Sequence, residues 1–568
     1  MSALRQLVAY TQLEDGQSQS FRTRAYEKAI DAIVACPDEI GAYSLAELKA
    51  MDGIGDSTAR KIIEFSANGS IGKVERLKAK FPPSMLDLMR IPGLGPKTVL
   101  ALQKHLGVTD VDGLKTALSK EQLRTLPGLG IKSEQKIAES IELLGLHSDA
   151  TRRPIYDAMQ IARRVMSELG RSGDVVSMEY AGSLRRLSET IGDIDILVTS
   201  DQPKNVVAAF LALPGVTAVL GSGGTKASVV IDDSIQVDLR VVSDEAFGAA
   251  LMYFTGSKGH NIILRQRSLN RGLTLNEYSL SSVETGDVLA AKTESEIYAE
   301  LGLQWITPEV REGTSEIAAA DDGALPAPVR VTDIRGDLHV HTSWSGDGRS
   351  SLAEMLDAVV ERGLEYVAIT DHAEDLAING LSRERMKQQA EELDMHRERL
   401  PQLTILHGVE LNIGADGSVD YDPDFLEMFD VGVASVHSHF DLEEGAQTER
   451  LLTALANPAV TVLGHPTGRK IGRRPGIRFD ANAVFDAAAA TATALEINCS
   501  LHRLDLPAAM LRKAVDVQGV MFTISTDSHR VAELENIRWG VSQARKGWVP
   551  RERVLNSLPK HEFLSQIG

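Results

Sequence analysis

Asp193 and Asp195 stand two residues apart in Gly192-Asp-Ile-Asp-Ile-Leu-Val198. At strand spacing both carboxylates leave one face, while Ile194 and Ile196 fill the other. Asp238 repeats the arrangement in Ile235-Gln-Val-Asp-Leu-Arg-Val-Val242, with Gln236, Asp238 and Arg240 on the polar face. Three like charges on two strands are costly neighbours unless a cation lies between them. Two Mg²⁺ or Mn²⁺ ions bridging a triphosphate and an attacking hydroxyl would remove that cost and support in-line phosphoryl transfer. Upstream, Gly182-Ser183 followed by Arg185-Arg186 offers a turn, a hydroxyl and guanidinium groups for a triphosphate tail. An Asp-x-Asp pair alone is common on solvent-facing strands. With a third strand aspartate and the Gly-Ser turn, the set points to a nucleotidyltransferase.

A second group of ligand-type residues follows residue 335. His339 and His341 are spaced i,i+2 on one strand, and Asp347 lies in the next loop. His372 comes just after Tyr366-Val-Ala-Ile-Thr-Asp371, Glu410 ends Leu406-His-Gly-Val-Glu410, and His437 ends Ala434-Ser-Val-His437. His465 lies in Leu463-Gly-His-Pro-Thr-Gly468, and Asp527 and His529 lie in Thr526-Asp-Ser-His529. A lone histidine is more often a satisfied core or surface residue. Six of the fourteen histidines at strand ends with three acids are not. The mixed set suits Mn²⁺, Zn²⁺ or Fe²⁺, and nine ligands fit a cluster of two or three ions. An activated hydroxide there would attack a phosphate ester. Arg469, just after the His465 segment, is a candidate phosphate contact, with a solvated loop arginine as the alternative.

The elements that must position these groups differ along the chain. Residues 1–150 read as short amphipathic helices carrying one repeated pattern: Met51-Asp-Gly-Ile-Gly55, Ile91-Pro-Gly-Leu-Gly95 and Leu126-Pro-Gly-Leu-Gly130. Each copy is followed by a polar, Lys-bearing helix start, as in a helix-hairpin-helix repeat. Gly53, Gly55, Gly93, Gly95, Gly128 and Gly130 would let backbone N–H groups approach phosphates with no Cβ in the way. Such contacts grip a duplex without reading its sequence. One copy alone would be an ordinary turn between helices. From about 174 the pattern becomes alternating strands. Glu312–Pro328, rich in Ala, Gly, Pro and Asp, reads as a linker. Short apolar strands then alternate with helices over the last 230 or so residues, which suggests a parallel α/β barrel with ligands at the carboxy ends of its strands.

Composition bounds the rest. The 568 residues suggest three to five domains. No apolar run is long enough to span a membrane, and the start shows no secretory pattern, so no membrane partner is expected. Only Cys36 and Cys499 are present, which excludes a disulfide framework and thiolate zinc fingers and fits a reducing cytoplasm. The net charge of −19 arises entirely after residue 150, because residues 1–150 hold 19 basic and 19 acidic side chains. A nucleic-acid-binding amino-terminal region is therefore not excluded.

These motifs together resemble the family X DNA polymerases, the class that contains polymerase beta, over residues 1–318. The resemblance makes Asp193, Asp195 and Asp238 the metal-binding carboxylates. Ser183 and Arg186 would contact the incoming triphosphate, with Gly192 beside it. Tyr253-Phe-Thr-Gly-Ser-Lys-Gly-His-Asn261 is similar to the nucleotide-selecting segment. Tyr253 and Phe254 would line the sugar, Gly256 would leave little room for a 2′-hydroxyl, and Asn261 would reach the minor-groove edge. Lys258 stands where polymerase beta carries an acid. The segment Arg24 to Lys61 is similar to the family's lyase domain, in which Lys61 matches the Schiff-base lysine and Tyr26 and Lys73 match its neighbours. Ser57 and Ser70 replace lysines there, so a phosphate-facing helix lysine is the favoured reading and lyase activity the lesser one. The carboxy-terminal region resembles the PHP (polymerase and histidinol phosphatase) domain, whose metal positions are the nine residues above. Asp347 falls one residue later than that family's usual spacing. The pairing of the two is typical of bacterial and archaeal members and implies a manganese-dependent 3′→5′ exonuclease.

The expected architecture is multidomain α/β and α+β. It comprises a lyase-like helical domain (1–80), two further hairpins (81–150), a polymerase beta-like nucleotidyltransferase palm (151–245), a nucleotide-selecting subdomain (246–318), a linker (319–334) and a distorted (β/α)7-type PHP barrel (335–568). The expected function is gap-filling DNA polymerisation in repair with 3′→5′ exonuclease activity. Partners would be gapped or primer-template DNA and deoxynucleoside triphosphates, acting on a monomer in the cytoplasm. One rival is a PHP phosphoesterase whose polymerase half only binds DNA. A non-enzymatic scaffold on DNA ends is the other, and it leaves both metal constellations unexplained.

Overall fold

The computed structural model describes residues 2–17, 20–34, 43–51, 53–82, 84–89, 94–120, 122–126, 129–130, 134, 137, 152–376 and 378–567. In the amino-terminal region, helices Ser2–Asp15, Phe21–Val34, Asp56–Asn68, Gly72–Lys80 and Pro96–Leu106 enclose a core that includes Leu7, Tyr10, Leu13, Leu48, Leu77 and Leu102. Helices Asp56–Asn68 and Pro96–Leu106 both start after an extended glycine N-cap, Gly55 or Gly95, that gives no side-chain cap. Their first N–H groups are thus left for an outside acceptor. Gly53 has φ +90°, and a Cβ there would lie 3.1 Å from the Lys28 carbonyl oxygen, so the first hairpin needs glycine. Gly130, the last residue of the third copy, is exposed. Gly93 and Gly128 lie outside the described residues.

The sheet domain is built on the helix Ile155–Gly170, whose buried Ile155, Ala158, Met159, Ala162, Val165 and Leu169 recur at helical spacing. It covers a five-stranded sheet in the order Ser177–Tyr180, Asp193–Thr199, Ile235–Val242, Lys226–Ile231, Val216–Ser222. The two aspartate-bearing strands are the parallel pair, with Asp195 directly opposite Asp238. A smaller unit follows, with helices Phe247–Thr255, Lys258–Asn270 and Glu294–Glu300 beside a three-stranded sheet. Its junction with the sheet domain is a buried charge network. Glu294 accepts two bonds of 2.9 Å from Arg185 and one of 2.5 Å from Arg311. Burial would raise the Glu294 pKa, but Arg311 and Arg185 hold it down at about 2.

The composition of 312–328 misleads. Instead of a free linker, the segment contains the helix Glu316–Asp321, whose Ile317 and Ala320 join the small unit's core. Glu316 is buried and lies 2.8 Å from Nδ1 of buried His260, which meets the Tyr298 hydroxyl through Nε2 at 2.8 Å. Alanine-rich sequence there is a short helix paired to a histidine 56 residues away, which no local pattern announces.

The last region is a barrel of seven parallel strands in sequential order: Gly336–Val340, Tyr366–Ile369, Thr404–Asn412, Val431–Ser435, Val462–Gly464, Ala494–Asn498 and Phe522–Ser525. Most positions along these strands are buried, as expected of parallel strands covered on both faces. Bridging of Val340 to Ser528 and the bond from the His341 N–H to the Ser528 carbonyl, 2.8 Å, bring the last strand back to the first. Among the described residues no helix is long and apolar enough to cross a membrane.

Candidate active sites

In the sheet domain, the side chains of Asp193, Asp195 and Asp238 emerge on one face of adjacent parallel strands. Gly182, at φ +61°, lets the following turn close on them: a Cβ there would meet Asp195 Oδ2 at 2.5 Å. Asp238 is oriented by Gln236, whose Nε2 lies 3.1 and 3.0 Å from its two oxygens, and by the Ser228 hydroxyl. Burial, with Asp193 and Asp238 alongside, pushes the Asp195 carboxyl up to about 7. Burial and Asp238 likewise raise Asp193. That frustration is what divalent cations would relieve. Arg186 Nη1 donates to the Thr255 carbonyl at 2.5 Å, whereas its buried Nε has no hydrogen-bond partner and lies 3.9 Å from the Glu312 carboxylate. Arg185, the other guanidinium expected at the triphosphate, is committed to Glu294 and Thr255 instead. Tyr253 and Phe254 meet edge to face at 5.2 Å, Gly256 has φ +66°, and Asn261 Nδ2 donates to the Tyr253 carbonyl at 2.7 Å. Gly192 is half-buried at the foot of the Asp193 strand.

The raised Asp195 value fixes a sign. An acid whose folded pKa exceeds its unfolded one, about 3.9, stabilises the fold fully below that value and loses the contribution as pH rises through about 7. In metal-chelated protein, wild type should therefore lose thermal stability relative to Asp195→Asn between about pH 5 and about pH 8, and added Mg²⁺ should close the gap. Melting curves that run parallel across that range would show the carboxylates are not frustrated.

The barrel gathers all nine of its expected ligands. Glu410 lies at the centre: its oxygens are 3.4 Å from His339, 3.5 Å from His341, 2.7 Å from His372, 3.1 Å from His437 and 3.0 Å from His465. Asp527 Oδ1 lies 3.4 Å from His341 and 3.7 Å from His339. Asp347, despite its shifted position, lies 3.2 Å from His372 and 3.4 Å from His529. His341, His372 and His529 form one triplet of converging ligand atoms, His339, His341 and Asp527 a second, and His372, Glu410 and His437 a third. Buried atoms without a hydrogen-bond partner concentrate here: His339 Nε2, both nitrogens of His341, His465 Nδ1 and Asp347 Oδ1. Orphans of this kind cost free energy unless a cation satisfies them, so the residues fit a multinuclear metal site.

Sequence reasoning missed the groups that aim these rings. Glu496, fully buried, accepts from His339 Nδ1 at 2.7 Å and from the His465 N–H at 2.6 Å. Asn412 meets His437 Nδ1 at 2.7 Å, and Asn498 donates to Asp527 at 3.1 Å. Fixing one ring nitrogen leaves the other facing the site. The signal was present: Glu496 and Asn498 stand two apart in an otherwise apolar strand. Arg469 is not a solvated loop arginine, and its guanidinium is taken up by protein groups. It donates to the carbonyls of Arg503 and Leu504 and to the Glu189 carboxylate of the sheet domain, at 2.8 Å. The cluster opens into a cavity of about 670 Å³ lined also by Lys470, Arg473 and Arg503 and, from the sheet domain, by Tyr156 and Arg163.

Comparison with known proteins places the chain in a family. A helix-hairpin-helix domain matches residues 1–71, a SAM-like helix-hairpin-helix tandem residues 85–142, the DNA polymerase beta thumb residues 250–312 and the PHP domain residues 337–497. The chain is 39% identical over 540 residues to the DNA polymerase/3′-5′ exonuclease PolX of Bacillus subtilis, covering 94% of this chain and 93% of that one. This chain belongs to the family X DNA polymerases that carry a PHP domain. DNA polymerase lambda of Rattus norvegicus is 24% identical over 52% of this chain and 53% of its own. A probable phosphatase of Shewanella sediminis is 28% identical over 41% of this chain and 94% of its own. The sheet domain is thus the palm, the small unit the thumb, and the barrel the PHP domain.

In the amino-terminal region Lys61 donates to the carbonyl and hydroxyl of Ser57 at 2.9 and 2.7 Å. Its ammonium and that of Lys73 lie 5.6 and 5.8 Å from the Tyr26 ring centroid. Burial, followed by the Lys73 charge, lowers the Lys61 pKa.

Proposed function

We propose that this chain fills short gaps in DNA by templated nucleotide addition and trims primer ends with a metal-dependent 3′→5′ exonuclease. The observation that carries the reading is the presence in one chain of two separate frustrated ligand sets, the palm triad and the Glu410-centred cluster. A PHP phosphoesterase with a passive polymerase half has no use for the first.

In the palm, Asp193, Asp195 and Asp238 would hold Mg²⁺ or Mn²⁺, which when bound supplies charge neutralisation for the triphosphate and primer hydroxyl. Ser183 and Arg186 hold the triphosphate, with Gly192 beside it. Tyr253 and Phe254 line the sugar, the Gly256 backbone excludes a 2′-hydroxyl, and Asn261 exchanges its bond to Tyr253 for the base edge. Asp238 assists removal of the primer 3′-hydroxyl proton. In the barrel, His339, His341, Asp347, His372, Glu410, His437, His465, Asp527 and His529 would hold two or three Mn²⁺ ions, with Zn²⁺ or Fe²⁺ as alternatives. Bound there, they supply an activated nucleophile and a phosphate clamp. Arg163 and Arg503 line the same cavity, and their guanidinium groups suit the strand's phosphates. The glycine hairpins grip duplex backbone on either side of the gap. Lys61, its pKa lowered by burial and by the Lys73 charge, is the amine for a weak 5′-deoxyribose phosphate lyase. The protein works as a cytoplasmic monomer on gapped or primer-template DNA.

The test is a 5′-labelled primer on a gapped template with Mn²⁺, with and without deoxynucleoside triphosphates. Lengthening with them and shortening without them is expected. Shortening under both conditions would favour the passive-polymerase reading.

A further inference from the structure

The loop that carries Arg186 is held from behind by the other domain. Lys546, the last residue of the PHP helix Ile537–Lys546, reaches into the palm and donates to the carbonyls of Arg186 and Leu187 at 2.8 and 3.0 Å. Leu187 is in the left-handed region, φ +52°, so the loop leaves the Gly-Ser turn by a conformation a leucine adopts only when surrounding contacts impose it. Two residues on, Glu189 takes the guanidinium of Arg469, again from the PHP domain. Glu312, at the end of the thumb, lies 3.7 Å from the Lys546 ammonium and 3.9 Å from Arg186 Nε. Lys546 thus sits between the back of the triphosphate loop and Glu312, the acid that lies against Arg186 Nε.

We infer that Lys546 is a positioning residue for nucleotide binding in the polymerase reaction, so that the PHP domain completes the triphosphate pocket of the palm. It acts in two ways. Its two hydrogen bonds fix the carbonyls on either side of the Arg186–Leu187 peptide, and so the direction in which the Arg186 side chain leaves the loop. It also shares Glu312. Without the ammonium, Arg186 would be that acid's sole cationic partner among the groups within 4 Å that the structure describes, and the guanidinium would be drawn from the triphosphate towards the thumb. Arg186 also bonds to the Thr255 carbonyl next to Gly256, so a displaced Arg186 disturbs the sugar side as well. The helix is anchored where it must be to do this. A Cβ on Gly540 would meet Cys499 Sγ at 2.2 Å, and Gln543 donates to the Leu504 and Leu506 carbonyls at 3.1 and 2.7 Å. The lysine is therefore delivered by a rigid barrel element.

This rests on the reading of Arg186 as a triphosphate contact, and the test separates the two. Steady-state extension of a gapped primer by the full-length protein is compared for wild type, Lys546→Met, Lys546→Arg and Arg186→Ala. Lys546→Met should raise the KM for the nucleotide about tenfold with kcat changed less than about threefold, and Lys546→Arg should recover most of the loss. Degradation of a single-stranded primer by the same preparations should be unaltered in Lys546→Met. An unchanged KM in folded Lys546→Met, with Arg186→Ala raising KM, overturns the inference and leaves the Arg186 reading intact. Unchanged KM in Arg186→Ala overturns that reading instead. Equal losses of extension and degradation in Lys546→Met also overturn the inference, because they report loosened domain packing. Should Lys546→Met fail to fold, Glu189→Gln releases the second grip on the same loop: a raised KM supports the inference and an unchanged one overturns it.

Discussion

Replacing Asp193 and Asp195 together by alanine should abolish primer extension, by at least about 10³-fold, while shortening of the same primer proceeds at the wild-type rate. The reverse split is expected for His339→Ala with His341→Ala. The asymmetry follows from where each set stands. The triad lies on the palm strands Asp193–Thr199 and Ile235–Val242, whereas the palm's share of the nuclease cavity comes from Tyr156 and Arg163 on the helix Ile155–Gly170. Removing two acids that burial holds in a frustrated state, Asp195 up to about 7, relieves repulsion, so the double variant should fold at least as well as wild type in chelator. Lost extension would then report lost cation binding. Gel resolution of a labelled primer, with and without nucleotides, reads both activities from one preparation. Extension that survives the double substitution would remove the triad from the polymerase site.

What the sequence made legible was chemistry with a short period. Asp193 and Asp195 share a face because strands alternate, and Asp238 announces itself the same way, so the pairing of their strands was the only missing step. The barrel ligands could be recognised because parallel α/β strands present their carboxy ends together, and even Asp347, one residue out of place, still reaches His372 and His529. Partnerships across long sequence separation were not legible. Arg185 looked like a triphosphate ligand beside Arg186, but Glu294, more than a hundred residues on, claims it. Arg469 looked like a loop arginine until Glu189 is brought to it across the domain boundary. The apparent linker hides Glu316, whose partner His260 lies in the nucleotide-selecting segment. Glu496 was readable as a buried acid in an apolar strand, yet only the closed barrel shows that it aims His339 rather than binding beside it.

Glu410→Gln should be the single most damaging change in the barrel. Five imidazoles lie within 3.5 Å of this one carboxylate. Burial alone would raise its pKa, but His437, His339 and His372 hold it well below the usual carboxylate range. Glutamine keeps the shape and removes the charge, so the ring nitrogens lose their common counter-ion and the cluster loses its shared ligand. Degradation should fall by at least about 10³-fold, with extension retained. Bound Mn²⁺ per chain should drop below the two or three expected for wild type. The metal-free variant should lose on the order of 3–5 kcal/mol, the cost of stripping one partner from a buried charge pair. The sign with pH follows: an acid with a depressed folded pKa stabilises the fold above its unfolded value, about 4.3, and the contribution is lost as pH falls through the folded value. Wild type and Glu410→Gln, both in chelator, should thus differ most at neutral pH and converge under strong acid. Elemental analysis of the dialysed proteins, with chemical denaturation at neutral pH, measures both quantities. Normal metal content in a folded Glu410→Gln would show that the carboxylate is a counter-charge to the histidines and not a ligand they share.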